Sequence, residues 1–121
     1  MMAIIRIKGL LLRTYIGFNA KEINEQQDVV INITIDVDLS HAIENDAVDG
    51  SYDYKIITKS VINLVQDQRF MMLETLTQSV LDEIMKHKKI RFAKVEVDKP
   101  HALRFAASVS VELEASRNEK K

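Results

Sequence analysis

The stretch AKVEVDKPHALRFAASVSVELEA, residues 93–115, decides the fold of this chain of 121 residues. Before its central loop Val95 and Val97 alternate with charged residues, and after the loop apolar residues again fill every second position (Val109, Val111 and Leu113). Such period-2 alternation is typical of strands that have one apolar face. The stretch therefore predicts two strands joined by a short basic loop.

Lys99 lies at the end of the first of these two strands, and Pro100, the only proline of the chain, follows it directly. Because proline fixes its own φ and stiffens the chain, the lysine is held at a strand end, where residues that carry chemistry are often found. A solvated basic hairpin loop is the other interpretation. The segment by itself does not decide between the two.

The composition is that of an ordinary globular domain, with 46% hydrophobic residues, 29% charged residues and a net charge of −1. This near-neutral charge argues against a protein that binds nucleic acid by bulk electrostatics. The chain has no cysteine, which excludes disulfides and thiolate metal sites, and its three histidines are far apart in the sequence. The sequence thus predicts a single domain without disulfides or a thiolate metal site.

Membrane and export signals are not found in the sequence. No apolar run approaches the roughly 20 residues that a helix needs to span a bilayer. Basic residues interrupt the apolar N-terminal segment, and no small-residue cleavage site follows them (Arg6, Lys8 and Arg13). We therefore expect a cytoplasmic protein that does not associate with membranes.

Two further strands are predicted in the first third of the chain. Residues 4–12 alternate around Gly9, where a bulge or a close backbone approach is expected. Residues 28–38 show the cleanest alternation, with one face formed by Val29, Ile31, Ile33, Ile35 and Val37. A polar loop, residues 17–27, is expected to connect these strands.

Two amphipathic helices follow an acidic connection, residues 40–52, that we expect to be mostly irregular. The first helix has Asp53 as its N-cap and an apolar stripe with helical spacing (Ile57, Val61, Leu64 and Val65). The second has an equivalent stripe (Leu73, Leu76, Val80 and Ile84), and residues 86–89 place basic side chains at its end, where they favour the helix dipole. The middle of the chain is therefore predicted to be helical.

The predicted order is β-β-α-α-β-β, an α+β fold in which a four-stranded antiparallel sheet has two helices on one face. We expect one domain at residues 1–116 and a frayed, charged tail at residues 117–121. The other face of the sheet is polar and its edges are open. Self-association around a closed ring would cover such edges, so the sequence predicts an oligomer.

Three more residues are candidates for chemistry, and each has a plainer interpretation. Glu22 could anchor a polar ligand from its loop, or it could be an ordinary exposed carboxylate. Tyr54, at the start of the first helix, could offer its hydroxyl to a ligand or simply pack into the core. Glu74 lies in the first turn of the second helix, where a carboxylate already favours the helix dipole. None of these residues is specific alone.

Together with Lys99, these residues resemble the dihydroneopterin aldolase and dihydroneopterin triphosphate 2′-epimerase family. The resemblance covers residues 3–113 and rests on four motifs in order: a Gly17 turn with Glu22 five residues later, Tyr54 at a helix start, FMMLE at residues 70–74 and VDKP at residues 97–100. It implies the tunnelling fold, or T-fold, and a pterin substrate. It implies no cofactor and no metal.

The resemblance also implies a role for each matching residue. Glu74 would receive the 2-amino and N3 hydrogens of the pterin, and Leu73 would contact the ring through its backbone. Glu22 would contact the pyrazine side and the reacting side chain. Lys99 would give and take protons, and Tyr54 would help to move the 2′-hydroxyl proton from across a subunit boundary. The implied assembly is a homo-octamer of two stacked tetrameric rings.

Several segments look like the epimerase branch of that family, namely IIRI at residues 4–7, LRTYIG at residues 12–17 and HALRF at residues 101–105. Three basic residues near the expected site are candidates for binding a phosphorylated side chain (Lys21, His101 and Arg104). Pro100, which the aldolase branch also favours, departs from this pattern. The sequence thus predicts inversion of C2′ of dihydroneopterin triphosphate, with aldolase activity as the alternative.

A second alternative, of a different class, is a non-catalytic interaction module that has kept the oligomeric scaffold. Its mark would be the loss of a polar residue at one of the four matching positions. None of the four is lost in this chain.

Overall fold

The predicted strands form one sheet in the computed structural model, which describes residues 2–48 and 51–117. Within those residues four long strands pair in antiparallel fashion and a two-residue strand, parallel to the end of β1, is added at one edge. In sheet order the strands are β3 (Arg69–Phe70), β1 (Met2–Ile16), β2 (Gln27–Asp38), β4 (Ile90–Pro100) and β5 (Ser108–Ser116). The four-stranded antiparallel sheet is confirmed, and the parallel β3 is an addition to it.

Both predicted long helices are present and pack on the sheet: α3 (Tyr54–Asp67) on β1, and α4 (Leu73–Met85) on β4 and β5. The Asp53 side chain accepts a hydrogen bond from the backbone N–H of Lys55, which confirms it as the N-cap of α3. The α+β class and the order β-β-α-α-β-β of the long elements are therefore confirmed.

Two short helices were not predicted. The loop after β1 contains α1 (Ala20–Asn24), and the connection after β2 contains α2 (Ser40–Asn45). Both begin beside a polar side chain that accepts backbone hydrogen bonds: Asn19 before α1, and Asp38 before α2. The expectation of a plain loop missed α1, whose single turn is held by the Asn19 cap. The connection at residues 40–52 contains α2 but has no helix or strand at its other described residues.

The core lies between the sheet and the two long helices. The alternating face of β2 is buried along its whole length, as its sequence pattern predicts (Val29, Ile31, Ile33, Ile35 and Val37). β4, α3 and α4 bury their own apolar stripes against it (Ala93, Val95 and Val97; Ile57, Val61 and Val65; Leu76, Val80 and Ile84). Burial of these apolar side chains is the main stabilising contribution to the fold.

The first strand is longer than predicted and carries the expected bulge. β1 runs from residue 2 to residue 16, and its register with β2 shifts between Ile7 and Leu10. Gly9 lies in this interval with φ +67°, and its N–H donates to Asn32 Oδ1 at 2.8 Å. Because L-residues rarely adopt that conformation, glycine is the residue that suits the bulge.

Arg117, the first residue of the predicted frayed tail, does not behave as part of a frayed tail. The guanidinium of Arg117 donates hydrogen bonds to three carbonyl oxygens near the end of α4 and the start of β4 (Met85, His87 and Ile90). Arg117 is therefore held to the domain instead of being frayed, because its donors satisfy carbonyl groups there. The rest of the predicted tail, residues 118–121, lies outside the described residues. No helix in the described part of the chain is long and apolar enough to cross a membrane.

Candidate active site

The turn between β1 and α1 brings Glu22 back over the end of β1. Gly17 has φ +125°, and its N–H donates to the carbonyl oxygen of Phe70 at 2.9 Å. A Cβ at Gly17 would lie 2.1 Å from Glu22 Oε1. Glycine is therefore required here for two reasons: its backbone conformation is rare for other residues, and the Glu22 carboxylate occupies the space of a side chain.

The Glu22 carboxylate and the Lys99 ammonium, 77 residues apart in sequence, form an ion pair with a distance of 2.5 Å between Oε2 and Nζ. Both side chains are largely shielded, with 20% exposure for Glu22 and 14% for Lys99. The Lys99 hydrogen bond lowers the pKa of Glu22; burial opposes this effect, while hydrogen bonds from the Asn19 backbone and Gln27 reinforce it. Glu22 is thus held as a carboxylate beside a lysine.

Two clefts meet at Glu22. The larger, of about 320 Å³, is lined by polar and charged residues (Asn19, Lys21, Glu22, Glu25 and Gln27). The smaller, of about 150 Å³, has a mostly apolar lining (Tyr15, Gly17, Glu22, Ile23, Arg69, Phe70 and Met71). A carboxylate at the junction of a polar and an apolar cleft suits a ligand with a planar apolar part and a polar side chain.

Leu73 and Glu74 begin α4 directly after the segment that lines the smaller cleft. Leu73 is half-buried and packs against the core, whereas Glu74 is exposed. The Glu74 side chain makes no hydrogen bond or ion pair with any other residue in the described ranges. Both residues therefore come shortly after Met71 of the smaller cleft in the sequence, and the Glu74 carboxylate is available as a hydrogen-bond acceptor.

Tyr54 lies elsewhere on the chain. It is 52% exposed at the start of α3 and lines a groove of about 810 Å³ between α3 and β1 (Ile5, Arg6, Ile7, Tyr54, Lys55, Thr58, Lys59 and Ile62). Through β2, Ile7 is in register with Val95, which precedes Lys99 by four residues on β4. Four residues of strand span roughly 13 Å, so a single chain does not bring Tyr54 to Lys99.

The three basic candidates for phosphate binding occupy two places. Lys21 lines the larger cleft next to Glu22. His101 and Arg104 lie in the exposed loop between β4 and β5, which begins directly after Pro100. The Arg104 guanidinium lies 5.3 Å from the ring centre of Phe105, which is fully exposed. The loop therefore presents two cations close in sequence to Lys99.

The structure adds three polar residues that the sequence analysis did not single out. Asn19 caps α1, and Gln27 donates from Nε2 to the carbonyl oxygen of Ile16 at 2.8 Å. Arg69 stacks 3.7 Å from the ring centre of Tyr15 and donates to a backbone carbonyl of α1 at 2.8 Å. The N-x-x-E spacing of Asn19 and Glu22 is a capping-box signal that could have revealed Asn19 from the sequence. For Arg69 no comparable signal exists.

No cluster of three or more metal-binding side chains occurs in residues 2–48 and 51–117. The chemistry that the site offers comes from a carboxylate, an ammonium and nearby hydrogen-bonding groups. Such groups can move protons and hold polar ligands.

Comparison with known proteins identifies the class to which this fold and site belong. Residues 5–114 match the sequence model of the dihydroneopterin aldolase family, and the chain belongs to that family. The solved structure of Escherichia coli dihydroneopterin aldolase in complex with neopterin superimposes with a TM-score of 0.88 and 26% identity, covering 94% of this chain and 99% of that one. The predicted family and the T-fold are confirmed.

Within the family, the chain is similar to proteins of the epimerase branch. It is 48% identical over 116 residues to the dihydroneopterin triphosphate 2′-epimerase of Pseudomonas aeruginosa, covering 96% of this chain and 94% of that protein. It is 47% identical over 115 residues to the protein of the same name from Escherichia coli K12, covering 95% and 96%. The similarity thus extends over nearly the full length of both relatives.

Proposed function

We propose that this protein is an epimerase that inverts C2′ in the side chain of dihydroneopterin triphosphate and gives dihydromonapterin triphosphate. The observation that carries the proposal is the ion pair of Lys99 with Glu22, whose carboxylate lies where two clefts meet. The identity of 47–48% to two epimerases supports the choice of reaction. The neopterin complex of the Escherichia coli aldolase supports a pterin as the ligand.

The pterin ring is bound at the start of α4. Glu74 receives the 2-amino and N3 hydrogens in a bidentate, charge-assisted pair, which is directional and strong. The backbone of Leu73 contacts the same ring. This placement is supported by the free Glu74 carboxylate and by the apolar cleft lined by Phe70 and Met71.

The reaction breaks and re-forms the C1′–C2′ bond, and acid–base catalysis is sufficient for it. Loss of the 2′-hydroxyl proton turns that oxygen into an aldehyde oxygen, and the C1′–C2′ bond breaks. Its electron pair forms a double bond between C1′ and the carbon of the dihydropterin C=N group, whose π electrons move to the nitrogen; the nitrogen takes up a proton and an enamine results. Lys99 donates and accepts these protons as the principal acid–base group, Glu22 holds the reacting side chain, and Tyr54 helps to move the hydroxyl proton. Re-addition of the turned aldehyde inverts C2′.

The alternative activity is that of dihydroneopterin aldolase, after which the matching family is named. If the aldehyde leaves instead of re-adding, C1′ of the enamine takes up a proton and the ring nitrogen loses one, so dihydroneopterin gives glycolaldehyde and 6-hydroxymethyl-dihydropterin. The same residues would carry this reaction. The difference between the two activities lies in how long the cleft retains the aldehyde fragment.

One product assay separates the two activities. Purified protein is incubated with dihydroneopterin and with its triphosphate, and epimer and cleaved products are resolved by chromatography. We expect the C2′ epimer to dominate with the triphosphate. Cleavage as the dominant outcome on both substrates would contradict the epimerase and favour the aldolase.

The triphosphate of the substrate is held by basic residues around the cleft. Lys21 is one candidate because it lines the larger cleft beside Glu22. His101 and Arg104 are the others, because their loop begins directly after Pro100. Arginine and lysine side chains are suited to phosphate oxygens.

The functional unit is a homo-oligomer, for which an octamer of two stacked tetrameric rings remains our prediction. Its support is the separation of Tyr54 from Lys99 within one chain, together with the outer edge of β5, which has no partner strand among the described residues. A second copy would supply Tyr54 to the site. Light scattering at micromolar protein tests this assembly, and a monomer would contradict it. A cytoplasmic location likewise stays a prediction.

A further inference from the structure

The side chain of Asn19 makes the first contact of the α1 capping box. Its Oδ1 accepts the backbone N–H of Glu22 at 2.9 Å, and Glu22 Oε1 accepts the backbone N–H of Asn19 at 3.5 Å. In a capping box the acidic residue at N3 accepts the backbone N–H of the N-cap residue. Here the other oxygen of the same carboxylate, Oε2, accepts from Lys99. One carboxylate therefore serves the helix cap and the ion pair at the same time.

The geometry leaves the carboxylate little freedom. Oε1 lies against Gly17, at a position where a Cβ would come within 2.1 Å, while Oε2 faces Lys99. The helix that carries Glu22 has only five residues, and none of them is buried. A helix of that length is not stable by itself, so its first turn depends on its cap.

We propose that Asn19 is a positioning residue that aims the Glu22 carboxylate at Lys99. This inference rests on the proposed function, because it assigns to Glu22 a part in the reaction. Asn19 does not touch the reacting atoms. It acts by fixing the backbone of Glu22 and by keeping its own N–H directed at Oε1.

Four charged groups surround the Glu22 carboxylate and have to be considered in any titration. Lys99 faces it from β4, and Arg69 from β3 across the smaller cleft. Lys21 and Glu25 share the larger cleft with it. A variant at position 19 that introduces no charge leaves all four in place, so a change in the titration of Glu22 would report its position.

The test uses three variants and two measurements. Asn19→Ala removes the cap, Asn19→Ser restores an accepting oxygen, and Asn24→Ala removes a hydrogen bond to Ala20 from the same helix without touching Glu22. The titration of the Glu22 carboxyl carbon is followed by NMR in ligand-free protein, with Glu22→Gln to identify its signal. The ratio kcat/KM is measured on dihydroneopterin triphosphate as a function of pH.

We expect Asn19→Ala to lower kcat/KM about tenfold and to move the carboxyl titration of Glu22 to higher pH, since hydrogen bonds to the charged form are weakened. Asn19→Ser should restore both values, and Asn24→Ala should change neither. An unchanged titration in Asn19→Ala, or an equal shift in Asn24→Ala, would overturn the inference. The titration of Glu22 needs no substrate. If it shifts in Asn19→Ala but the wild-type protein does not turn over dihydroneopterin triphosphate, the result counts against the proposed function and not against the positioning role of Asn19.

Discussion

The cleft around Glu22 and the groove around Tyr54 differ in whether the proposed site residue already has its partner within one chain. In the cleft, a carboxylate and a lysine from distant parts of the sequence already meet at 2.5 Å and are shielded from solvent. In the groove, Tyr54 is half exposed, and its hydroxyl makes no hydrogen bond with any other residue in ranges 2–48 and 51–117. Under the proposed function, folding of one chain would assemble the acid–base half of the site, and a second copy would supply the tyrosine.

The largest expected effect is on the turnover rate and comes from Lys99 of the ion pair. Lys99→Ala should lower the single-turnover rate by ~100-fold or more, because it removes the principal acid–base group, while leaving much of the pterin affinity intact. Rapid-quench kinetics and equilibrium binding measure the two quantities. Lys88→Ala, an exposed lysine after α4, is the matched control. Wild-type turnover in Lys99→Ala would contradict the proposed mechanism.

Removal of the Glu74 carboxylate should act on binding instead of the rate. Glu74→Ala should weaken the binding of neopterin by ~2–4 kcal/mol, because the amidine hydrogens of the ring lose a charge-assisted partner. If Glu74 only favours the helix dipole, the variant should lose about 0.3–1 kcal/mol of stability and bind the ligand normally. Calorimetry on Glu74→Ala, with the exposed Asp82→Ala as control, separates these outcomes.

The ion pair should give the cleft a distinct pH dependence. The pKa of Glu22 is lowered in the folded protein, so its contribution to stability is present above the ordinary value of 4.5 and is lost as pH falls through the lower, folded value. The difference in unfolding free energy between wild type and Glu22→Gln should therefore shrink below about pH 4.5. Urea unfolding at several pH values measures it, and Glu25→Gln is a control from the same cleft. A difference that grows on acidification would be incompatible with the pair.

Substitution of Tyr52 should have the smallest effect on stability, although Tyr52 lies only two residues before Tyr54 of the groove. Its hydroxyl is buried and has no hydrogen-bond partner among the described residues, and burial, followed by the charge of Asp53, raises the pKa of Tyr52 to about 12. Tyr52→Phe should leave the stability unchanged or raise it by up to ~1 kcal/mol, since an unpaired polar group is removed. Thermal unfolding checks this, with Tyr15→Phe as control. A loss above 1 kcal/mol would indicate a bonded hydroxyl.

The sequence predicted the long elements well because burial imposes a period on them. β2 and α4 each repeat apolar residues at their own spacing over more than ten positions, and both were placed correctly. The helix α1 and the strand β3, of five and two residues, are too short to show a period. Their existence depends on the Asn19 cap and on pairing with the end of β1, which are local or tertiary effects.

The candidate site was predictable in its residues more than in its geometry. The motif spacing pointed to Glu22, Lys99 and Glu74, but the direct contact of the first two arises only when the sheet and α1 are packed together. The separation of Tyr54 from Lys99 depends on strand register, which no motif reveals. Arg69 was missed because its position over Tyr15 is a tertiary contact.

The most direct test of a site divided between two copies is subunit complementation. Lys99→Ala and Tyr54→Phe are each expected to be nearly inactive, and they are co-expressed or reassembled together after dissociation. If each site takes Lys99 from one chain and Tyr54 from the next, random mixing should restore about one quarter of the wild-type activity. Mixed oligomers with no more activity than the separate variants would contradict the divided site.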